Sequence, residues 1–179
     1  MPSQLFREMV MEEFIIPFFG LKEGNHEFKF NIDRLFFEAF ESSLLEDAVI
    51  EVKLELEKRS NMLVLNFKAK GKTVVPCDRC GDDFEMPIKA KEKIFVKFGD
   101  EAYEQTDDIV VLSHDSHEID VSHHIYEMIV LSLPNKRVHD KKSNCNQDAI
   151  ERLKLLKIEE EELKAKQTDP RWDALRKLK

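Results

Sequence analysis

No apolar run in the 179 residues approaches the ~20 needed for a membrane-spanning helix. Met1 to Arg7 lacks a basic region followed by an apolar stretch, so no secretory leader is expected. The five glycines build no phosphate-cradling loop, and no nucleophile elbow is present. Three cysteines cannot all pair with one another, so a disulfide framework and an oxidising compartment are not implied. The expectation is a cytoplasmic protein whose thiols are reduced or bind a metal as thiolates. One Trp and two Tyr against thirteen Phe point to a core packed with Phe.

Hydrophobic residues make up 42% of the chain and charged ones 36%, enough for a core beneath a heavily solvated surface. The net charge of −8 is unevenly spread. Residues 1–135 hold 15 Lys and Arg against 27 Asp and Glu, a balance of −12. Residues 136–179 hold 13 against 9, a balance of +4. An acidic body repels phosphate backbones and attracts basic proteins, whereas a basic tail attracts phosphate. The expected organisation is a body over 1–135 carrying a C-x-x-C knuckle, then a polar, basic, mainly helical tail over 136–179.

Local periodicity predicts an α+β fold in which antiparallel β-hairpins form a sheet or partly open barrel. Phe14 to Phe19 reads as an edge strand containing Pro17, and His26 to Phe30 as a second strand. Asn31 or Asp33 caps a helix whose buried face holds Leu35, Phe36, Ala39 and Phe40. From Val49 the period changes to two: Ile50, Val52, Leu54 and Leu56 alternate with charged residues. Arg59-Ser60-Asn61 turns the chain, and Leu63, Leu65, Phe67 and Ala69 mark the returning strand. Gly71 allows a bend. Met86, Ile88 and Ala90, then Ile94, Val96 and Phe98, line the strand after the C-x-x-C, which places the knuckle at a hairpin tip. Ile109 to Leu112 is a short buried strand. Asp120 caps a helix bearing Ile125, Met128 and Ile129, which Pro134 ends. Ile150 to Lys166 is helical, with Leu153, Leu156 and Leu163 along one face, and Arg171 to Lys179 forms a last short helix.

Two chemistry-bearing patterns stand out. Cys77 and Cys80 supply half of a tetrahedral zinc set, and His139 with Cys145 would complete it as Cys3His. The competing reading makes the two cysteines small turn residues or the remains of a lost site. His114, His117, His123 and His124 cluster in sequence, but surface or helix-start positions account for them better than metal ligation. As an enzyme motif, C-x-x-C would need a strand feeding a helix, and its β-hairpin setting argues against a dithiol catalyst. No enzymatic activity is expected.

Three stretches, in this order, resemble the YceD family of large ribosomal RNA subunit accumulation proteins. They are Cys77-Asp78-Arg79-Cys80 with Phe84; Glu118-Ile119-Asp120-Val121 through Glu127 to Leu131-Ser132-Leu133-Pro134; and Asp169-Pro170-Arg171-Trp172-Asp173-Ala174-Leu175-Arg176-Lys177-Leu178. The resemblance covers nearly the whole chain, the N-terminal half by pattern alone. It implies a cytoplasmic, non-enzymatic factor needed for normal levels of large-subunit rRNA. For such a factor the charge split allows two partners, that rRNA through the basic tail or a basic large-subunit ribosomal protein through the acidic body. Many members of the family carry further cysteines after the helix ending in Leu-Pro, where this chain keeps only His139 and Cys145. The basic candidates for nucleic-acid or partner contact are Lys136, Arg137, Lys141, Lys142, Arg171, Arg176 and Lys177. Trp172 either stacks on an unpaired base or docks the last helix. A zinc-stabilised interaction module with no ribosomal link is the alternative.

Overall fold

The computed structural model describes residues 4–40, 45, 47–99, 106, 108–141 and 144–166. Its elements are α1 (Gln4–Met11), β1 (Ile15–Ile16), β2 (Gly24–Ile32), α2 (Arg34–Glu38), β3 (Asp47–Lys58), β4 (Met62–Pro76), β5 (Asp83–Phe98), β6 (Ile109–Leu112), β7 (Ile119–Asp120), α3 (Ser122–Leu131) and α4 (Gln147–Lys166). The architecture is α+β. Strands β2-β3-β4-β5-β6 form one open sheet in that order, β1 pairs with β7, and no barrel closes among the described residues. The chain divides into two compact units: Met1–Val75 with Phe84–Asn135, and Pro76–Asp83 with Lys136–Lys179.

The β3–β4 hairpin is antiparallel with Leu54 opposite Phe67 and Leu56 opposite Leu65. Its alternating residues are buried, as the period of two requires. Val64 is buried as well, although the alternation assigned it to the outer face. Gly71 stands opposite Ile50 inside the ladder and makes no bend. A Cβ there would run into the Val49 carbonyl oxygen and the Ile50 Cα, so close backbone approach explains the glycine. Burial alternates without interruption along β5, which places Glu92 on the same face as Ile88, Ile94 and Val96. Its Oε2 is buried without a hydrogen-bond partner. The sequence suggested only antiparallel pairing, yet β6 lies parallel to β5, with Phe95 opposite Ile109 and Phe98 opposite Leu112.

The Phe-rich core lies in the first unit. Phe14 stacks on Phe30 at 5.3 Å and tilts against Phe36 at 4.8 Å; Phe36 meets Phe37 edge-on at 5.4 Å. The Phe14–Phe19 run is not the strand its composition suggests. Only Ile15 and Ile16 pair, and short 3-10 turns over Glu12–Phe14 and Phe18–Gly20 flank them. Pro17, which has no N–H to donate, separates the pair from the second turn. Lys58 then fixes that turn, its Nζ donating to the carbonyls of Phe18, Phe19 and Leu21 at 3.0, 3.2 and 2.8 Å.

Asp33 caps α2 by accepting from the N–H groups of Leu35 and Phe36 at 2.9 and 3.4 Å. The buried face differs from the expected one: Phe36, Phe37 and Ala39 are buried, whereas Leu35 is 48% exposed. Asp120 accepts from Ser122 N–H at 2.8 Å, but Val121 holds the N-cap position of α3, so Asp120 stands one position outside the cap. Helix α3 ends at Leu131, three residues short of Pro134. Helix α4 starts at Gln147, earlier than expected, and Glu151 to Ile158 are all exposed. The helix expected over 171–179 lies outside the described residues. Among the described residues no helix is long and apolar enough to cross a membrane.

Candidate metal centre

Residues 77–82 connect β4 to β5. Within this turn Cys77 N–H donates to the Asp82 carbonyl and Gly81 N–H to the Cys77 carbonyl, each at 2.9 Å. Gly81 has φ +82°, a left-handed conformation that side chains with a Cβ adopt at a cost, so the tight turn rests on this glycine. The turn brings the two cysteine side chains toward one point.

A second segment of the same unit meets this turn. Asp78 N–H donates to the Arg137 carbonyl at 2.7 Å, and Arg137 N–H donates to Asp78 Oδ2 at 2.6 Å. The Arg137 guanidinium also reaches Asp78 Oδ1 at 3.5 Å. These links, spanning 59 residues, set the height of the chain that carries His139 and Cys145. His139 Nδ1 lies 3.7 Å from Cys80 Sγ and 3.5 Å from Cys145 Sγ.

The ligand atoms of Cys77, Cys80, His139 and Cys145 all lie within 4.8 Å of one another. A tetrahedron with metal–sulfur bonds of about 2.3 Å has edges of roughly 3.8 Å, so the donor set fits a tetrahedral ion. Cys77 and Cys145 are buried, Cys80 and His139 half-buried, and all three thiols are free. This is the sole cluster of three or more His, Cys, Asp or Glu donors among the described residues. His123 instead sits 3.1 Å from Glu127 on α3, and His117 packs against the Phe19 ring at 4.7 Å.

The electrostatics of the four donors are uneven. Burial opposes a Cys77 thiolate, but backbone amides of Arg79, His139 and Cys80 turned toward its sulfur prevail and bring its pKa to about 6. Burial and the neighbouring Cys80 push the Cys145 thiol up, against the pull of Arg79. Arg79 Nη1 donates to Cys145 Sγ at 3.3 Å. Asp78 and Arg79 therefore act in the site, one joining its two segments and the other facing its third sulfur. Their place inside the C-x-x-C turn was the available sequence signal, but nothing local to it named Arg137 or Cys145 as their partners.

The other predicted contact residues scatter. Lys136 and Lys141 are exposed, whereas Arg137 is occupied by Asp78. Lys142, Arg171, Trp172, Arg176 and Lys177 lie outside the described residues. The family model for the large ribosomal RNA subunit accumulation protein YceD matches residues 65–179. No curated protein and no solved structure matches the chain.

Proposed function

Because the chain belongs to the YceD family of large ribosomal RNA subunit accumulation proteins, we propose that it is a non-enzymatic factor that promotes accumulation of that rRNA in the cytoplasm by binding. Cys77, Cys80, His139 and Cys145 hold a zinc ion in this reading, with the C-x-x-C as the knuckle of the β4–β5 hairpin. The observation that carries the zinc assignment is the burial pattern of the second unit. Among its described residues only Cys77 and Cys145 are buried apolar side chains, so the described part of this unit has almost no hydrophobic core of its own. Small units of this kind need a staple, and a structural zinc supplies folding energy directly.

Four protein donors fill a tetrahedral site and leave no position for a substrate or activated water, which supports a structural role. The C-x-x-C stands between two strands, not at the strand-to-helix turn of a dithiol catalyst. Charge divides between the units in the sense expected for two binding roles. The first holds 14 Lys and Arg against 24 Asp and Glu, a balance of −10; the second holds 14 against 12, a balance of +2. The acidic unit engages a basic large-subunit ribosomal protein, and the second unit approaches rRNA.

Depletion in the native cell, paired with co-sedimentation of the tagged chain, tests this reading. Large-subunit rRNA is expected to fall and the chain to travel with large-subunit precursors. Normal rRNA levels and no co-sedimentation would leave a zinc-stabilised interaction module without a ribosomal link.

A further inference from the structure

We propose that the cleft between the C-x-x-C turn and the start of α4 binds a phosphodiester of single-stranded RNA, an assignment that rests on the rRNA-binding reading above. The cleft has a volume of about 480 Å³, and Arg79, Asn146, Asp148, Arg152, Leu153 and Leu156 are among its lining residues. It lies wholly within the second unit.

Neither of its two guanidiniums pairs with a carboxylate among the described residues. Arg79 donates one nitrogen to Cys145 Sγ at 3.3 Å and pairs with no carboxylate among the described residues. Arg152, exposed on α4, has no ion pair among the described residues. Elsewhere Arg34 pairs with the Glu38 carboxylate and Arg59 with that of Glu57. Two like charges facing one space repel unless an anion lies with them. The planar guanidinium fork matches phosphate oxygens two at a time, so phosphate is the anion that uses both residues best. Asp148 is the single carboxylate among the described lining residues, so the two guanidiniums outnumber it.

The remaining wall is apolar. Leu153 is 44% exposed and Leu156 59% exposed, and both border the cleft. Single-stranded RNA offers a phosphate beside an open base face, which meets a cationic and an apolar wall together. An acidic peptide would satisfy the arginines and leave the leucines without a matched group at fixed distance. The cysteine–histidine cluster bears on the cleft because Cys80 is both a lining residue and a ligand candidate, and Arg79 contacts Cys145.

The test is fluorescence anisotropy of a labelled oligouridylate with the zinc-loaded full-length protein across a salt series. Arg152→Ala should weaken binding about ten-fold at low salt, the scale of one charged hydrogen-bonding group. It should also lower the log–log salt slope by about one unit. Arg152→Lys should keep the slope while losing part of the affinity, because a point charge replaces the fork. Arg79→Gln should weaken binding similarly with zinc content measured alongside, so that a loss through the metal is recognised. Wild-type binding that Arg152→Ala leaves unchanged in affinity and slope would overturn the cleft while sparing the rRNA reading. Failure of the wild type to bind RNA at all would remove both. An oligoglutamate peptide that binds more tightly than the oligouridylate, with the same dependence on Arg152, would reassign the cleft to acidic peptides and overturn the proposal.

Discussion

Every buried apolar residue of the described chain except Cys77 and Cys145 belongs to the first unit. That unit coheres as ordinary globular domains do, by removing Phe, Leu, Ile and Val side chains from water. The second unit has two sulfurs inside, a lattice of hydrogen bonds from Asp78 to Arg137, and a helix whose residues 151–158 all face solvent. Directed polar contacts and, on the reading above, a metal are therefore what holds its described part together. The lesson is that one chain can contain two kinds of stability, and that they should fail independently.

The sharpest way to break the comparison is to remove the staple. Structural zinc binding is worth on the order of 10 kcal/mol in small sites. Chelation or Cys145→Ser should abolish zinc stoichiometry by elemental analysis. Amide exchange at 77–82 and 136–145 should then rise toward unfolded-chain rates while β3 and β4 stay protected. Uniform loss of protection in both units would contradict the separation.

Phe36→Ala should do the reverse. Phe36 is 2% exposed and touches the rings of Phe14, Phe37 and Phe40. Its truncation should cost the first unit about 4 kcal/mol in urea unfolding, from lost burial and the cavity left behind. Zinc affinity should stay at the wild-type value.

Asp78→Ala sharpens the comparison from inside the second unit. It deletes the 2.6 Å acceptor of Arg137 N–H and the guanidinium contact at 3.5 Å. The expected loss is about 1.5 kcal/mol, seen as roughly ten-fold weaker zinc binding in competition with a chelator. Thermal unfolding of the first unit should not move.

The smallest effect concerns Glu92. Burial, then the charges of Glu127 and Asp108, raises its pKa in the folded protein. The folded state thus binds this proton more tightly than the unfolded chain does. Stability falls as pH rises from the unfolded value of 4.5 through the folded one, and at neutral pH the ionised group is a burden. Glu92→Gln should stabilise the first unit at pH 7 by about 0.5 kcal/mol, a small figure because solvent still screens the group. The gain should vanish below pH 4.5. A pH-independent gain would mean that packing, not ionisation, is responsible.

Local periodicity determined much of the first unit. Alternation from Ile50 to Leu56 and from Leu63 to Ala69 is a property of neighbouring residues, and the β3–β4 ladder follows from it. Asp33 as a cap and the helix ending at Lys166 are equally local. Composition also narrowed the donor set, since a third cysteine exists only at Cys145. Tertiary structure decided the rest. Phe37 displaced Leu35 from the buried face of α2, because a helix of five residues takes its orientation from what packs on it. The parallel pairing of β6 and the burial of Glu92 depend on neighbours that no window of sequence contains. Above all, the approach of His139 and Cys145 to Cys77 and Cys80 is fixed by the hydrogen bonds between Asp78 and Arg137. Spacing within a turn sets two sulfurs at one point, but only the folded chain brings the other two donors to meet them.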